Sequence, residues 1–218
     1  MLKEKLSLVV FDFDGTLANA PWKGLLQAYQ EIIKKVCRKD PQTFFKNVSE
    51  FKRWHSHDWP YNHQRIGLLA ETEEEAKKIF YAIYDSYVYV YPSIVEIIQS
   101  LRTQYRLAIL TNRSRRSTVK ILDDLAREFA VIVGEEDMQK RLKPDPEGLW
   151  MILEQTGINP ENALMVGDVK NDILAGQNAG VKTGFVTWGF GNLKAVKPLK
   201  PNFIFREHDE LWFKLICE

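Results

Sequence analysis

Cysteine is nearly missing from this chain. Two of 218 residues, Cys37 and Cys217, stand far apart, which excludes a disulfide scaffold and fits a reducing compartment. No apolar run approaches the ~20 residues needed to cross a bilayer, and the first residues, Met1-Leu2-Lys3-Glu4-Lys5, lack the charged and apolar regions of a secretory leader. Excess charge of one sign is also lacking. Lys plus Arg is 30 and Asp plus Glu 29, a net +1 that gives no general case for nucleic acid or membrane as a partner. Internal repeats and low-complexity segments are absent. What remains is an ordinary globular composition, 45% hydrophobic and 27% charged, on a chain long enough for one α/β domain with an insertion. A soluble, cytoplasmic protein is expected.

The most informative stretch is Leu8-Val9-Val10-Phe11-Asp12-Phe13-Asp14-Gly15-Thr16-Leu17. Its apolar start predicts a strand buried on both faces, the habit of a parallel sheet, and open α/β sheets bind ligands at the carboxyl ends of such strands. Asp12 and Asp14, at i and i+2, point the same way if the strand continues through them. Two carboxylates this close repel each other unless a cation lies between them, and an oxygen-rich pair suits Mg²⁺ with a substrate phosphate.

From Pro92 onward, helical and strand patterns alternate. Ile94, Val95, Ile98 and Leu101 form one helix face; helix is expected also over 116–129, 145–155, 173–179 and 207–216, and strand over 106–111, 131–133, 163–166, 183–187 and 203–205. This alternation predicts a doubly wound parallel sheet with helices on both sides. Between the first strand and Pro92 the pattern is helical throughout: 22–39, about 41–53, and Thr72 to about Tyr87, with Thr72 as a hydroxyl cap. Residues 54–65, aromatic and histidine-rich around Pro60, are expected to form a connection. Their histidines, His55, His57 and His63, are read as packing among aromatics rather than as a metal site. Residues 18–70 hold nine Lys/Arg against four acids, a +5 balance that could draw in an anionic substrate or be a solvated helix surface.

Three predicted strands end in polar groups: Asp12/Asp14, Thr111-Asn112 and Gly167-Asp168. A proline-flanked loop adds Lys143, and Asp172 follows in the next helix. Singly, each has an ordinary explanation as a helix cap, a first-turn acid or a solvated lysine. Jointly they assemble carboxylates, an ammonium, a hydroxyl and glycine turns on one sheet edge, a set suited to phosphoryl transfer.

Asp12-Phe13-Asp14-Gly15-Thr16, Thr111-Asn112, Lys143-Pro144 and Gly167-Asp168-Val169-Lys170-Asn171-Asp172 resemble, in order and spacing, the four motifs of the haloacid-dehalogenase superfamily. Ile173–Gly180 is also typical of it. The resemblance covers residues 1–17 and about 90–218, and the helical residues 18–89 resemble its C1 cap. Thr187-Trp188-Gly189-Phe190-Gly191 resembles the phosphoglycolate-phosphatase-like branch. The resemblance implies a Mg²⁺-dependent phosphatase acting on a small phosphorylated metabolite. Asp12 is then the nucleophile forming an aspartyl phosphate, and Asp14 the general acid and base. Asp12, the Asp14 carbonyl and Asp168 hold the metal, Thr111, Asn112 and Lys143 the phosphate, and Asp172 supports Lys143 or a metal-bound water. Many relatives read Asp-Ser where this chain has Asn19-Ala20, at the entry to the cap, which bears on substrate. The alternatives are a phosphomutase or other phosphotransferase, and a non-catalytic interaction module. Dehalogenation is disfavoured by Asp14, and no motif singles out Lys23 or Lys34 as a Schiff-base lysine.

Overall fold

The computed structural model describes residues 6–19, 21–56, 58–139 and 141–217. Asn19 is therefore described, whereas Ala20 and His57 lie outside the described residues. The chain divides into two compact units, Met1–Ala20 with Tyr89–Glu218, and Pro21–Val88.

The larger unit is built on six strands: β1 (Leu8–Phe11), β2 (Arg106–Leu110), β3 (Val131–Val133), β4 (Ala163–Gly167), β5 (Lys182–Val186) and β6 (Phe203–Phe205). All pairings are parallel, in the order β3-β2-β1-β4-β5-β6. This is a doubly wound α/β fold with β1 beside the point where strand order reverses, the place such sheets use for ligands. The β1 residues are all buried, as the unbroken apolar run requires of a central parallel strand. Leu8 and Val10 join one core with Leu110, Met165, Leu149 and Ile152. In register, Phe11 stands beside Ile109 of β2 and Val166 of β4, so the three strand ends lie level.

Five helices follow these strands or precede them. They are α5 (Pro92–Leu101), α6 (Arg115–Leu122), α7 (Glu147–Thr156), α8 (Lys170–Ala179) and α10 (His208–Ile216), with a short α9 (Leu193–Val196) after β5. Gly157 (φ 66°) and Gly180 (φ 76°) end α7 and α8 in the left-handed conformation. The helix expected over 116–129 stops at Leu122. Asp123 takes φ 51°, and the remainder to Glu128 is a 3₁₀ segment. Both cysteines are free.

The smaller unit holds α1 (Trp22–Lys35), α2 (Val48–Trp54), α3 (Trp59–Ile66) and α4 (Glu73–Tyr84). Here the sequence expectations fail in four places. The helix expected over 22–39 stops at Lys35, and Arg38 takes φ 56°. The helix expected over 41–53 is split, because short polar side chains cap two separate starts. Asp40 accepts from the Gln42 amide ahead of a 3₁₀ turn, and Asn47 accepts from the Glu50 amide ahead of α2. The connection expected over 54–65 contains α3. Asp58 accepts from the Tyr61 amide, and Pro60 lies within the first turn, where its missing N–H costs nothing. Thr72 does not cap α4; its hydroxyl donates to Leu69 O at 2.9 Å.

An aromatic core holds this unit together. Tyr29, fully buried, has its ring centroid 5.4 Å from Phe51, 5.6 Å from Trp54 and 5.9 Å from Trp59. His55 packs edge-on to Trp22 at 5.5 Å and His63 to Trp59 at 5.8 Å, so both histidines belong to this packing. Because several helices share the Tyr29 ring, Tyr29→Ala is expected to cost about 3–5 kcal/mol, the range for emptying a large aromatic site. Urea unfolding checks this, and a loss below about 1 kcal/mol would show that the cluster does not hold the unit.

Candidate active site

The ends of β1, β2 and β4 put their next residues side by side. Asp12 follows β1 and still donates its amide to Val166 O at 2.8 Å, extending the ladder by one bond. Strand geometry ends there. Leu17 and Ala18 donate back to Phe13 O, and Gly15 takes φ 87°, so a tight turn and not strand alternation sets the direction of Asp14. After β4, Asp168 is buried and Asp172 enters the first turn of α8, where it accepts from the Val169 amide at 2.9 Å. Thr111 follows β2, buried, its amide donating to Val133 O.

Lys143 reaches into this cluster from the loop before α7. Its Nζ lies 2.6 Å from Asp12 Oδ1 and 2.6 Å from Asp172 Oδ1, with all three side chains buried. Asn112 holds the Lys143 backbone at both ends of its amide: Nδ2 donates to Lys143 O at 3.0 Å, and Oδ1 accepts from Lys143 N at 2.8 Å. The Asn112 side chain is thus committed to placing the lysine, and what it can offer a phosphate is its main chain. Burial works against the Lys143 ammonium, but Asp12 and Asp172 outweigh it and hold the lysine above its usual range.

Carboxylates of Asp12, Asp168 and Asp172 present oxygens within 4.8 Å of one another. Burial pushes Asp12 up to about 7, with Lys143 opposing and Asp172 and Asp14 reinforcing the rise. Burial, then Asp12 and Asp172, drive Asp168 well above the carboxylate range, against the Phe190 amide that donates to its Oδ2 at 2.6 Å. Asp168 Oδ1 is buried with no hydrogen-bond partner among the described residues. Both Asp172 oxygens are spoken for, by Lys143 and Val169, so the acids best able to take a cation are Asp12 and Asp168. Glycines make room for Asp168. A Cβ on Gly15 would fall 2.4 Å from its Oδ2, one on Gly189 2.2 Å from the same atom, and one on Gly191 1.6 Å from its carbonyl oxygen.

Arg113 is the site residue that the sequence reading missed. Directly after Thr111-Asn112, its guanidinium is buried, and Nη1 donates to Asp14 Oδ1 at 2.8 Å. The available signal was a serine four residues on, at one helical turn, since Ser117 Oγ accepts from the same guanidinium. Four carboxylates and two cations leave the cluster at a formal −2, the charge that one divalent ion would balance.

A parallel sheet with buried acids and a lysine gathered at its switch point is an α/β fold with a candidate enzyme site at the carboxyl ends of its strands. Residues 9–186 match the model of the haloacid dehalogenase-like hydrolases, and the chain belongs to that family. It is similar to pyrophosphatase PpaX of Bacillus cereus, 31% identical over 95% of each chain. It is similar also to phosphoglycolate phosphatase 1 of Pseudomonas aeruginosa, 30% identical over 90% of this chain and 75% of that one. Among solved structures, "a predicted phosphatase from Clostridium acetobutylicum" superposes with a TM-score of 0.82 at 22% identity, over 98% of this chain and all of that one. A haloacid dehalogenase-like hydrolase of Streptococcus pneumoniae gives 0.78 at 20% identity, over 97% and 98%, which shows the shared fold.

The start of α6 is fixed by Glu136, which accepts from the Ser114 hydroxyl at 2.6 Å and the Arg115 amide at 2.8 Å. Burial acts to raise the Glu136 carboxyl, but these donors outweigh it and hold the carboxyl below its usual range. A lowered folded value means stability present above the unfolded pKa and lost as pH falls through the folded one. Glu136→Gln is expected to lower the melting temperature at pH 7, with the gap to wild type closing as pH drops from about 5 to about 3. A gap of constant size across that window would contradict the charge-based account.

Proposed function

We propose that the protein is a Mg²⁺-dependent phosphatase hydrolysing a small phosphomonoester through an aspartyl phosphate on Asp12. The observation that carries this is Asp168 Oδ1, a buried oxygen with no hydrogen-bond partner among the described residues, on an acid that belongs with Asp12 and Asp172 to a cluster whose carboxylates come within 4.8 Å of one another. Asp12, Asp168 and the Asp14 carbonyl would hold the ion, whose charge would balance the −2. When bound, Mg²⁺ supplies charge neutralisation for the transferring phosphoryl group.

The chain's own residues divide the remaining work. An Asp12 carboxylate oxygen attacks phosphorus as the ester P–O bond breaks, and the departing oxygen takes its proton from Asp14. Asp14 then takes a proton from water, whose oxygen attacks phosphorus and returns Asp12 to a carboxylate. Lys143 holds the phosphoryl oxygens beside Asp12. Thr111 Oγ accepts from the Arg113 amide at 3.2 Å, which leaves its hydroxyl proton for a phosphate oxygen. Asp172 keeps Lys143 in place. The helical unit Pro21–Val88 serves as the cap that selects substrate, and the +5 balance of residues 18–70 suits an anion. Substrates of the phosphoglycolate kind fit the resemblance of residues 187–191. Inorganic pyrophosphate is the second candidate, because the relative named a pyrophosphatase matches 95% of both chains.

A panel of phosphomonoesters plus inorganic pyrophosphate, assayed with Mg²⁺ and with chelator, tests the reading. Turnover should need the ion, and Asp12→Asn should lose at least about a thousandfold in kcat while the fold persists, as expected for a missing nucleophile. Retention of a tenth of wild-type turnover would remove Asp12 from that role. Gly189→Ala, whose Cβ would meet Asp168 Oδ2 at 2.2 Å, should weaken Mg²⁺ binding by calorimetry at least about tenfold, the usual cost of disturbing a ligand's support. Unchanged affinity would place the ion elsewhere.

A further inference from the structure

Arg113 is 5% exposed, and each of its guanidinium nitrogens is engaged. Nη1 donates to Asp14 Oδ1 at 2.8 Å, while Nε and Nη2 donate to Ser117 Oγ at 3.1 and 2.8 Å. Its Cζ lies 5.7 Å from the centre of the Phe13 ring, on the residue between the two acids of the β1 turn. Burying a guanidinium is costly unless its donors are satisfied, so this arginine is built in and not incidental. We propose that Arg113 is a positioning residue that fixes the direction of the Asp14 carboxyl group, with Ser117 of α6 as its anchor.

The inference rests on the phosphatase reading of the same site. Asp14 sits on a turn whose backbone does not by itself fix the side chain, and a proton-transferring group must be held within about 0.5 Å of its working position. Ser117 lies in the first turns of a helix, a rigid support, and the fork of Arg113 carries that rigidity across to Asp14. The same residue's backbone amide donates to Thr111 Oγ at 3.2 Å, so it also orients the phosphate-holding hydroxyl.

The chemistry supplies a readout that simple structural damage would not mimic. As the Asp12–phosphorus bond forms and the ester P–O bond breaks, a poor leaving oxygen needs the Asp14 proton. A nitrophenolate leaves without it. The constant kcat/KM reports the steps through this bond cleavage and excludes later hydrolysis of the phosphoenzyme. It should be measured with Mg²⁺ on p-nitrophenyl, phenyl and alkyl phosphates. For Arg113→Met we expect a fall of no more than about threefold on p-nitrophenyl phosphate and of about a hundredfold on an alkyl phosphate, the range for losing a positioned acid. Arg113→Lys should recover part of the alkyl activity. Ser117→Ala, which keeps the charge and removes the anchor, should steepen the leaving-group dependence in the same sense but less, and it carries the test if Arg113→Met does not fold. An equal fall on every ester, or a rise in KM for all of them with no leaving-group dependence, would overturn the positioning role. Absence of ester hydrolysis by the wild-type protein would instead remove the phosphatase reading on which it stands.

Discussion

Lys143 is the residue on which the rest of the site depends electrostatically. Its ammonium lies between Asp12 and Asp172, and all three are buried at the edge of the sheet. Removing one partner from such a buried set costs about 3–5 kcal/mol, because the charge left behind has no water to turn to. The lysine comes from the loop between β3 and α7, its backbone is clamped by Asn112 at the end of β2, and its head meets groups from β1 and α8. One side chain thus ties together three separate stretches of chain. The cluster stays unbalanced at −2 even so. Burial raises the carboxyls of both Asp12 and Asp168 above their ordinary range.

Space is the second constraint, and glycine meets it. Asp168 is surrounded so closely that side chains at positions 15, 189 or 191 would occupy its carboxylate or carbonyl, and one at 167 would fall 2.3 Å from Asp172. These glycines come from the turn after β1, the end of β4 and the stretch after β5. The backbone can then approach the acid from two strand ends at once, and the Phe190 amide reaches Asp168 Oδ2. The sequence reading used Gly-Phe-Gly at 189–191 only as a likeness. In the structure these residues form part of the wall of the acid cluster.

The sheet was legible because its signal is local and strong. Strands such as 8–11 and 163–166 are buried on both faces and so are apolar without interruption. The ends of α7 and α8 were equally plain, since Gly157 and Gly180 stop a helix whatever lies around it. The smaller unit was harder, because there Asn47 and Asp58 compete with the helical backbone from positions that also suit loops, and only the accepted amide hydrogen bond decides between them. The acids and Lys143 stood out because several ionisable groups at strand ends demand compensation. Arg113 stayed hidden for the opposite reason. An arginine followed four residues later by a serine is an ordinary helix-start pattern, and its partner Asp14 is 99 residues away.

Asp12 and Asp14 are the same residue type, two positions apart, so whatever distinguishes their chemistry must come from their surroundings. Asp12 is buried and shares its lysine with a second acid that holds the ammonium from behind. Asp14 is half-buried and has a guanidinium braced on α6. On the proposed reading this division is what the reaction needs. The nucleophile must stay ionised at a fixed point while phosphorus approaches, and a lysine braced on Asp172 serves that. The acid and base must gain and lose a proton in each turnover, which calls for a fixed direction more than a fixed charge. A planar fork anchored outside the acid cluster can provide that direction, because its own position does not depend on the charge state of Asp12 or Asp168.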